Sequence, residues 1–329
     1  MQKTASVTID DIHAAADRLR PHLTPTPLLR SPLLDLRCRG EVFLKAECLQ
    51  QTGSFKIRGA LNRVLQLTER EKAAGVVAYS SGNHAQGVAL AARMAGVEAT
   101  IVMPEDAPQV KRDRTRRLGA EIVTYDRLNE SREEIAGRLA AEKGAVLIPP
   151  FDDPHVIAGQ GTVGLEIAET TQRLGVELDQ ILVCCSGGGL AAGIGMAMAA
   201  EHPGARLFTV EPKGFDDVRR SLVSGGRLAN PPGGTSVCDA LLVSTSGQIT
   251  FPLLKSLKAE GLAVSDQEAM AAIRFAAEEL KVILEPGGAV ALAAILYGHV
   301  ATKGLRTAVV LSGGNVDRAV FDRAMRYAV

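Results

Sequence analysis

The sequence alternates short apolar runs bounded by glycine with longer segments of helical periodicity, and this alternation limits the folds open to the chain. The apolar runs are GVVAYSS, ATIVMPE, AEIVTYD, GAVLIPP, QILVCCSGGG, RLFTVEP and TAVVLSGGN. Helical patterns such as NHAQGVALAARMAG and EEIAGRLAAEKG lie between them. Continuous apolar runs are typical of strands buried on both faces, and their alternation with helices indicates parallel sheets covered by helices. The predicted fold class is α/β.

The strand and helix patterns also predict two domains. A chain of 329 residues, 46% of them hydrophobic, is long enough to divide into two lobes. Residues 75–150 form a compact group of short strands and helices, which predicts a small domain inserted into a large domain made of residues 1–74 and 151–329. Ligands of open α/β sheets bind beyond the carboxyl ends of the strands. A cleft between the domains is therefore the expected site.

Composition excludes several classes of partner. Basic and acidic residues both number 37, so no net charge favours nucleic acid or an anionic membrane, and a small-molecule partner is expected. The first residues lack the apolar stretch of about 7 to 15 residues found in signal peptides, and no run reaches the about 18 apolar residues of a membrane span. Five cysteines without a C-x-x-C pair predict buried thiols. These features predict a cytoplasmic protein.

Lys56 stands in the segment QTGSFKIRGALNRVLQL, which predicts a Gly-Ser turn followed by a helix capped by Ser54. The amino end of a helix is electropositive, so an ammonium group there loses its proton more readily. A neutral amine is required to form a Schiff base with a carbonyl compound. A solvated surface lysine after a helix cap is the alternative interpretation.

Two glycine- and serine-rich loops follow predicted strands. The segment QILVCCSGGGLAAGIGMAMAA predicts a strand, a tight turn and a helix, which is a construction that points backbone N–H groups at a phosphate. The segment VVAYSSGNHAQG places polar residues at another helix amino end, which suits a carboxylate. A simple tight turn and a helix cap are the respective alternatives. The residues concerned are Ser186, Gly187, Gly188, Gly189 and Leu190 for the phosphate, and Ser80, Ser81, Gly82, Asn83 and His84 for the carboxylate.

A third loop ends the last apolar run. The segment TAVVLSGGN places the neutral hydroxyl of Ser312 before two glycines, and the segment ILEPGGAVALAA supplies Glu285 and Gly287 before a helix of small residues. Each motif alone is weak evidence for a functional site. A lysine together with several such loops at strand ends predicts one functional site.

The ordered motifs SFKIRGA, SSGNHAQG, SGGGLAAG, EPGGAVALAA and LSGGN resemble the threonine dehydratase and serine racemase branch of the fold type II pyridoxal-phosphate enzymes. The resemblance runs from TPTPLLRS to Asp317. It implies two open, twisted, mostly parallel sheets of the tryptophan synthase β type, with pyridoxal 5'-phosphate in the cleft between the large and the small domain. It also implies a homodimer.

The resemblance assigns a role to each motif. It implies that Lys56 holds the cofactor as a Schiff base, that Phe55 packs near it, and that Asn83 bonds its 3-hydroxyl group. It further implies that Ser312 faces the pyridine nitrogen. The loop Ser186–Leu190 would hold the phosphate, and the loop Ser80–His84 would hold the carboxylate of the substrate.

The resemblance also implies a divalent cation site. In serine racemase-like members a glutamate, a backbone carbonyl and an aspartate hold the ion, and they align with Glu211, Phe215 and Asp217 in EPKGFDD. Hard oxygen ligands suit Mg²⁺, Mn²⁺ or Ca²⁺. A strand followed by a solvated acidic turn is the alternative.

The sequence departs from its relatives at two places. Where relatives often have Ala-Asp-Gly, this chain has Cys238, Asp239 and Ala240, and the extra methyl group is expected to narrow the site or alter the coordination of the cation. The chain also ends soon after LSGGN, which leaves no room for the regulatory domain of biosynthetic threonine dehydratases. Feedback inhibition through such a domain is not expected.

The activity implied by the resemblance is dehydration of a β-hydroxy amino acid to a 2-oxo acid and ammonia by α,β-elimination. L-Threonine and L-serine are the default substrates, and 3-hydroxyaspartate, phenylserine and hydroxyectoine-derived amino acids are related candidates. Lys56 would remove the α-proton. Ser81, on the opposite face of the cofactor, would return a proton to Cα and give serine or aspartate racemase activity as the alternative.

Two other classes are disfavoured. A β-replacement synthase of the cysteine synthase kind has an asparagine and threonine loop where this chain has SSGNH. A non-catalytic binding protein on the same fold would not require Lys56, so the presence of this lysine disfavours that class.

Overall fold

The apolar runs form two separate sheets in the computed structural model, which describes residues 7–328. The strands are β1 Leu28–Leu29, β2 Glu41–Lys45, β3 Val76–Tyr79, β4 Ala99–Pro104, β5 Glu121–Tyr125, β6 Val146–Leu147, β7 Gln180–Cys184, β8 Arg206–Pro212, β9 Glu260–Val264 and β10 Arg306–Val310. The helices are α1 Ile9–Leu19, α2 Pro32–Cys38, α3 Lys56–Val64, α4 Glu69–Ala74, α5 Asn83–Ala95, α6 Gln109–Arg117, α7 Arg132–Lys143, α8 Pro154–Arg173, α9 Gly189–Glu201, α10 Asp217–Ser224, α11 Thr250–Ser256, α12 Asp266–Phe275, α13 Pro286–Leu296 and α14 Arg318–Ala324.

The larger sheet has six strands in the order β1-β2-β10-β7-β8-β9. All neighbouring strands are parallel except the short edge strand β1, which is antiparallel to β2. The central strand β7 is buried throughout, as its continuous apolar sequence predicts. The carboxyl ends of β7 and β10 lie side by side, because Leu182 pairs with Val309.

The smaller sheet has four parallel strands in the order β5-β4-β3-β6, and all four lie between Val76 and Leu147. Two mostly parallel sheets covered by helices confirm the predicted α/β fold class.

One hydrophobic cluster joins the smaller sheet to helices α3 and α5. The contact between the two helices is close at Gly87, where an added Cβ atom would lie 3.1 Å from the carbonyl carbon of Lys56. Glycine therefore allows the two backbones to approach. As a result, the first turn of α3 is fixed against the helix that follows the loop Ser80–His84.

The remaining expectations about the chain concern cysteines and membranes. All five cysteines are buried and unpaired, as predicted. Within residues 7–328, no helix combines the length and the apolar character that a membrane crossing requires.

Candidate active site

A cleft of about 930 Å³ opens at the carboxyl ends of the strands. Every residue predicted to hold the cofactor or the substrate lines it: Phe55, Lys56, Ser80, Ser81, Gly82, Asn83, His84, Ser186, Gly187, Gly188, Gly189, Leu190 and Ser312. A smaller cavity of about 310 Å³ between α1 and α8 contains none of these residues. The larger cleft is therefore the candidate active site.

Lys56 begins α3 and points its amine into the cleft. Its Nζ atom donates to the carbonyl oxygen of Pro150 at 2.7 Å and lies 5.1 Å from the ring centre of Phe55. Burial lowers the pKa of the Lys56 amine to about 8, against the opposing influence of Cys184 and Glu285. Desolvation rather than the helix terminus is the main cause, and it makes the neutral amine accessible near physiological pH.

The prediction that Ser54 caps α3 is wrong. Phe55 occupies the cap position without a side-chain bond, and the buried hydroxyl of Ser54 has no partner. Ser54 is instead extended and forms a β-bridge with Gly313, while the Phe55 N–H donates to the carbonyl oxygen of Ser312 at 3.2 Å. This pairing places Lys56 directly beside the loop that contains Ser312.

The glycine-rich loop after β7 begins α9, with Gly188 at the cap position and a φ of 93°. Side chains are excluded here, because a Cβ atom on Gly187 would lie 2.3 Å from the ring of Phe151. The first amides of a helix have no partner within the helix. In addition, the buried hydroxyl of Ser186 has no partner in the protein. The loop thus offers unpaired donors to the cleft.

The loop after β3 is a second group of donors at the amino end of a helix, α5. The Gly82 N–H donates to the Ser80 hydroxyl at 3.1 Å. The His84 side chain is buried and its Nε2 atom lies 2.9 Å from the carbonyl oxygen of Ile148. Burial lowers the pKa of His84 to about 3, so the imidazole is neutral and donates to Ile148. Its side chain supports the loop, and its backbone amide remains at the helix terminus.

Asn83 links this loop to the two neighbouring motifs. Its Nδ2 atom donates to the Glu285 carboxylate at 2.5 Å, and its Oδ1 atom accepts from Asn315 Nδ2 at 2.8 Å. Burial raises the pKa of Glu285 to about 7. The bonds fix the plane of the Asn83 amide within the cleft.

Ser312 follows β10 and is buried, with its hydroxyl 3.1 Å from the thiol of Cys184 at the end of β7. Both side chains line the cleft. The pairing of β10 with β7 brings these two residues together across 128 positions of sequence.

Comparison with known proteins shows the family. Residues 19–313 match the family model described as pyridoxal-phosphate dependent enzyme. The chain is 42% identical over 317 residues to the L-threonine ammonia-lyase of Thermotoga maritima, covering 96% of this chain and 78% of that protein. It is 40% identical to the L-threo-3-hydroxyaspartate ammonia-lyase of Saccharomyces cerevisiae, covering 94% of each. The structure of maize serine racemase superposes with a TM-score of 0.91 at 37% identity, covering 98% of this chain and 97% of that one. The chain belongs to the pyridoxal-phosphate dependent enzymes.

The cleft of this family member suits its cofactor, which is a phosphorylated aldehyde on a pyridine ring. A lysine with a lowered pKa suits the aldehyde, because its neutral amine is the reactive form. The unpaired Ser186 hydroxyl and the amides that begin α9 suit the phosphate. The Ser312 hydroxyl lines the cleft and can donate a hydrogen bond, which suits the nitrogen of the pyridine ring.

Several residues that line the cleft of this pyridoxal-phosphate dependent enzyme were not predicted from the sequence. Cys184 lies in an apolar strand, and for that reason the sequence predicted only a buried structural thiol at this position. Asn315 was detectable, because it ends the LSGGN motif. Lys111 of α6 forms an ion pair with Asp239 at 2.9 Å, and no local pattern indicates this contact between distant segments. Ala240, in contrast, was named from the sequence as a residue whose extra methyl group narrows the site, and it lines the cleft.

The residues predicted to bind a cation lie outside the cleft. Glu211 ends up fully buried, and its carboxylate accepts the backbone N–H groups of Val218 at 3.1 Å and Arg219 at 2.8 Å. The Asp217 carboxylate accepts from Asn230 Nδ2 and from the Ser246 N–H, both at 2.8 Å. Burial raises the pKa of Asp217 to about 6 and that of Glu211 well above its usual value. Across residues 7–328, no three His, Cys, Asp or Glu side chains are grouped so as to hold a metal ion.

Proposed function

We propose that the protein is an ammonia-lyase that converts a β-hydroxy amino acid to a 2-oxo acid and ammonia by α,β-elimination. The observation that carries the proposal is the position of the Lys56 amine, whose pKa is lowered to about 8, in one cleft with two loops of unpaired donors. Relatives named L-threonine ammonia-lyase and L-threo-3-hydroxyaspartate ammonia-lyase support it. Release of 2-oxo acid from a panel of β-hydroxy amino acids is the direct test.

In this proposal the cofactor would be held by the start of α3 and by three loops. Lys56 would bind it covalently, Phe55 would pack against it, Asn83 would bond its 3-hydroxyl group, and Ser312 would face its pyridine nitrogen. The phosphate is held by Ser186, Gly187, Gly188, Gly189 and Leu190. When bound, pyridoxal phosphate supplies an aldehyde that condenses with amines and a ring that accepts the electron pair from Cα.

The substrate is held by the loop Ser80–His84, whose amides bind its α-carboxylate at the amino end of α5. This contact orients the Cα–H bond towards the Lys56 amine, which removes the proton as a general base. The Lys56 amine, when it is not bonded to the cofactor, donates to the carbonyl oxygen of Pro150 at 2.7 Å. We infer that residues 75–150 act as a small domain that closes over the cleft and excludes water. The ion pair between Lys111 and Asp239, at 2.9 Å, links this segment to the rest of the chain.

A second candidate activity is racemisation of serine or aspartate, with Ser81 as the acid on the opposite face of the cofactor. Ser81 is part of the carboxylate loop and lines the cleft, and relatives named serine racemase support this activity. The ratio of D-amino acid to 2-oxo acid formed from one L-substrate separates the two activities.

We also propose that the active protein is a homodimer, as the resemblance to the threonine dehydratase and serine racemase branch implies. Gel filtration of the purified protein tests this proposal.

We infer that the wall of the cleft favours a substrate with an anionic side chain, because Arg114, Arg127 and Arg132 line it. Arg127 and the Nε atom of Arg132 already pair with acidic side chains, at 2.7 Å and 2.8 Å. The guanidinium of Arg132 lies 5.6 Å from the ring centre of Tyr79, directly before the carboxylate loop, and its two terminal nitrogens are the donors that it can offer to a substrate carboxylate. A charge-assisted hydrogen bond contributes about 1.5–3 kcal/mol, which corresponds to about 10- to 100-fold in specificity. We therefore expect kcat/KM for L-threo-3-hydroxyaspartate to exceed that for L-threonine by at least about tenfold.

The Arg132→Met variant tests this expectation. It should lower kcat/KM for 3-hydroxyaspartate by about 10- to 100-fold and change that for threonine little. Arg138→Met is the matched control, because Arg138 lies on the same helix and its side chain is 67% exposed. Equal losses on both substrates, or equal effects of the two variants, would contradict a role in side-chain recognition.

We also propose that Glu211, the backbone carbonyl of Phe215 and Asp217 hold Mg²⁺, Mn²⁺ or Ca²⁺. Both carboxylates are fully buried, and the N–H groups that donate to them carry no full charge. A bound cation would therefore lower the cost of burying two negative charges. Binding to the folded state alone stabilises it by about 2.7 kcal/mol at 100 times Kd. Exhaustive chelation should therefore lower Tm by about 5 °C, and added Mg²⁺ or Mn²⁺ should restore it.

The Glu211→Gln variant is the control for chelation. If the cation binds at this position, chelation should leave the Tm of the variant unchanged. An unaffected wild-type Tm, with no metal found by elemental analysis, would return these residues to a purely structural role.

A further inference from the structure

Cys184 is the buried thiol nearest to the chemistry of the cleft, and the proposed function does not use it. It ends β7 and lines the cleft next to Ser312, and each of the two residues is only 4% exposed. The thiol of Cys184 lies 3.1 Å from the Ser312 hydroxyl. Within residues 7–328, this is the side-chain bond that the Ser312 hydroxyl makes.

The direction of the hydrogen bond between Cys184 and Ser312 determines whether the Ser312 hydroxyl can donate to another group. A serine hydroxyl has one hydrogen and accepts through its oxygen, whereas a thiol is a weak donor and a weak acceptor. Burial raises the pKa of Cys184 to about 11, so the thiol keeps its proton at neutral pH and can donate. If the thiol donates to the hydroxyl oxygen, the single hydrogen of Ser312 is left for a partner in the cleft.

We propose that Cys184 is a positioning residue whose thiol orients the Ser312 hydroxyl to donate to the pyridine nitrogen of the cofactor. The inference rests on the proposed function, because it requires Ser312 to face that nitrogen. In this proposal Cys184 acts on the cofactor through the Ser312 hydroxyl.

The adjacent Cys185 provides a matched control. It is also buried, and within residues 7–328 it is absent from the lining of the cleft and its sulfur makes a single weak contact, at 3.9 Å from the carbonyl oxygen of Ser186. Loss of core packing should therefore appear in both positions, whereas an effect through Ser312 should appear only at Cys184.

The test compares four variants of the holoprotein with wild type: Cys184→Val, which is one methyl group larger and has no donor, Cys184→Ser, which keeps a donor, Cys185→Val and Ser312→Ala. The measurements are the absorption maximum of the bound cofactor and its Kd after reconstitution of the apoprotein. Cys184→Val should shift the maximum and raise Kd by about two- to tenfold, the effect of one hydrogen bond. Cys184→Ser should restore both values, and Cys185→Val should leave both unchanged.

A double variant shows whether the effect passes through Ser312. In the Ser312→Ala background, Cys184→Val should change Kd no further, because the group that it orients is already absent. Additive effects, an unchanged spectrum in Cys184→Val, or an equal shift in Cys185→Val would overturn the proposal. Should Cys184→Val not fold, Cys184→Ala provides the same comparison.

Failure of the proposed function would give a different result. In that case wild-type protein itself would lack the cofactor band or the release of 2-oxo acid. A wild-type enzyme with both properties, combined with an inert Cys184, would overturn the positioning role alone.

Discussion

Replacing Lys56 with alanine is expected to abolish measurable turnover, a loss of at least about 10⁴-fold. The variant loses two functions at once, because in the proposed mechanism the same amine forms the covalent bond to the cofactor and removes the α-proton. Steady-state assays of 2-oxo acid release measure the loss. Borohydride treatment followed by peptide mass analysis should add the mass of the reduced cofactor at Lys56 in wild type and at no position in the variant.

Lys72→Ala is the control, since Lys72 is a surface lysine that pairs with Glu69 at 2.7 Å. It should keep wild-type activity and spectrum. Full activity in Lys56→Ala, or trapped cofactor at another lysine, would refute the assignment. A Tm close to that of wild type would show that the loss is chemical, because within residues 7–328 the side chain of Lys56 makes a single hydrogen bond, to the carbonyl oxygen of Pro150.

The fold class and the cleft could be predicted because their determinants repeat along the sequence. Strands buried on both faces leave continuous apolar runs, and β7 and β10 are of this kind. Parallel strands bring their carboxyl ends to one edge, so loops far apart in sequence, such as Ser186–Leu190 and Ser312, meet in one cleft. The sequence pattern therefore predicted which loops line the candidate site, without any knowledge of distances.

The errors and omissions concern contacts between distant segments. Ser54 was predicted to cap α3 by a local rule, but its backbone pairs with Gly313, and that pairing removes it from the cap position. The bond between Cys184 and Ser312 depends on the neighbouring positions of β7 and β10 in the sheet. A strand order of this kind is not encoded in the residues next to either side chain.

The second large effect is expected from Ser312→Asp. A carboxylate at this buried position is stable only if a positive charge pairs with it. In the proposed arrangement the pyridine nitrogen is the available partner, so the variant raises the pKa of that nitrogen and keeps it protonated. A protonated ring withdraws the electron pair at Cα more strongly, which gives Cα more time to regain a proton before the β-hydroxyl group leaves.

The elimination rate of Ser312→Asp should therefore fall by about tenfold or more, since a change of one pKa unit corresponds to about 1.4 kcal/mol. The fraction of racemised or transaminated product should rise, as chiral chromatography of the products would measure. Ser312→Asn separates charge from size, because its amide is nearly isosteric with the carboxylate and is neutral. If the aspartate and asparagine variants give the same product ratio, the charge at this position does not control the electronics of the cofactor. The hydroxyl of Ser312 would then matter only for packing against Cys184.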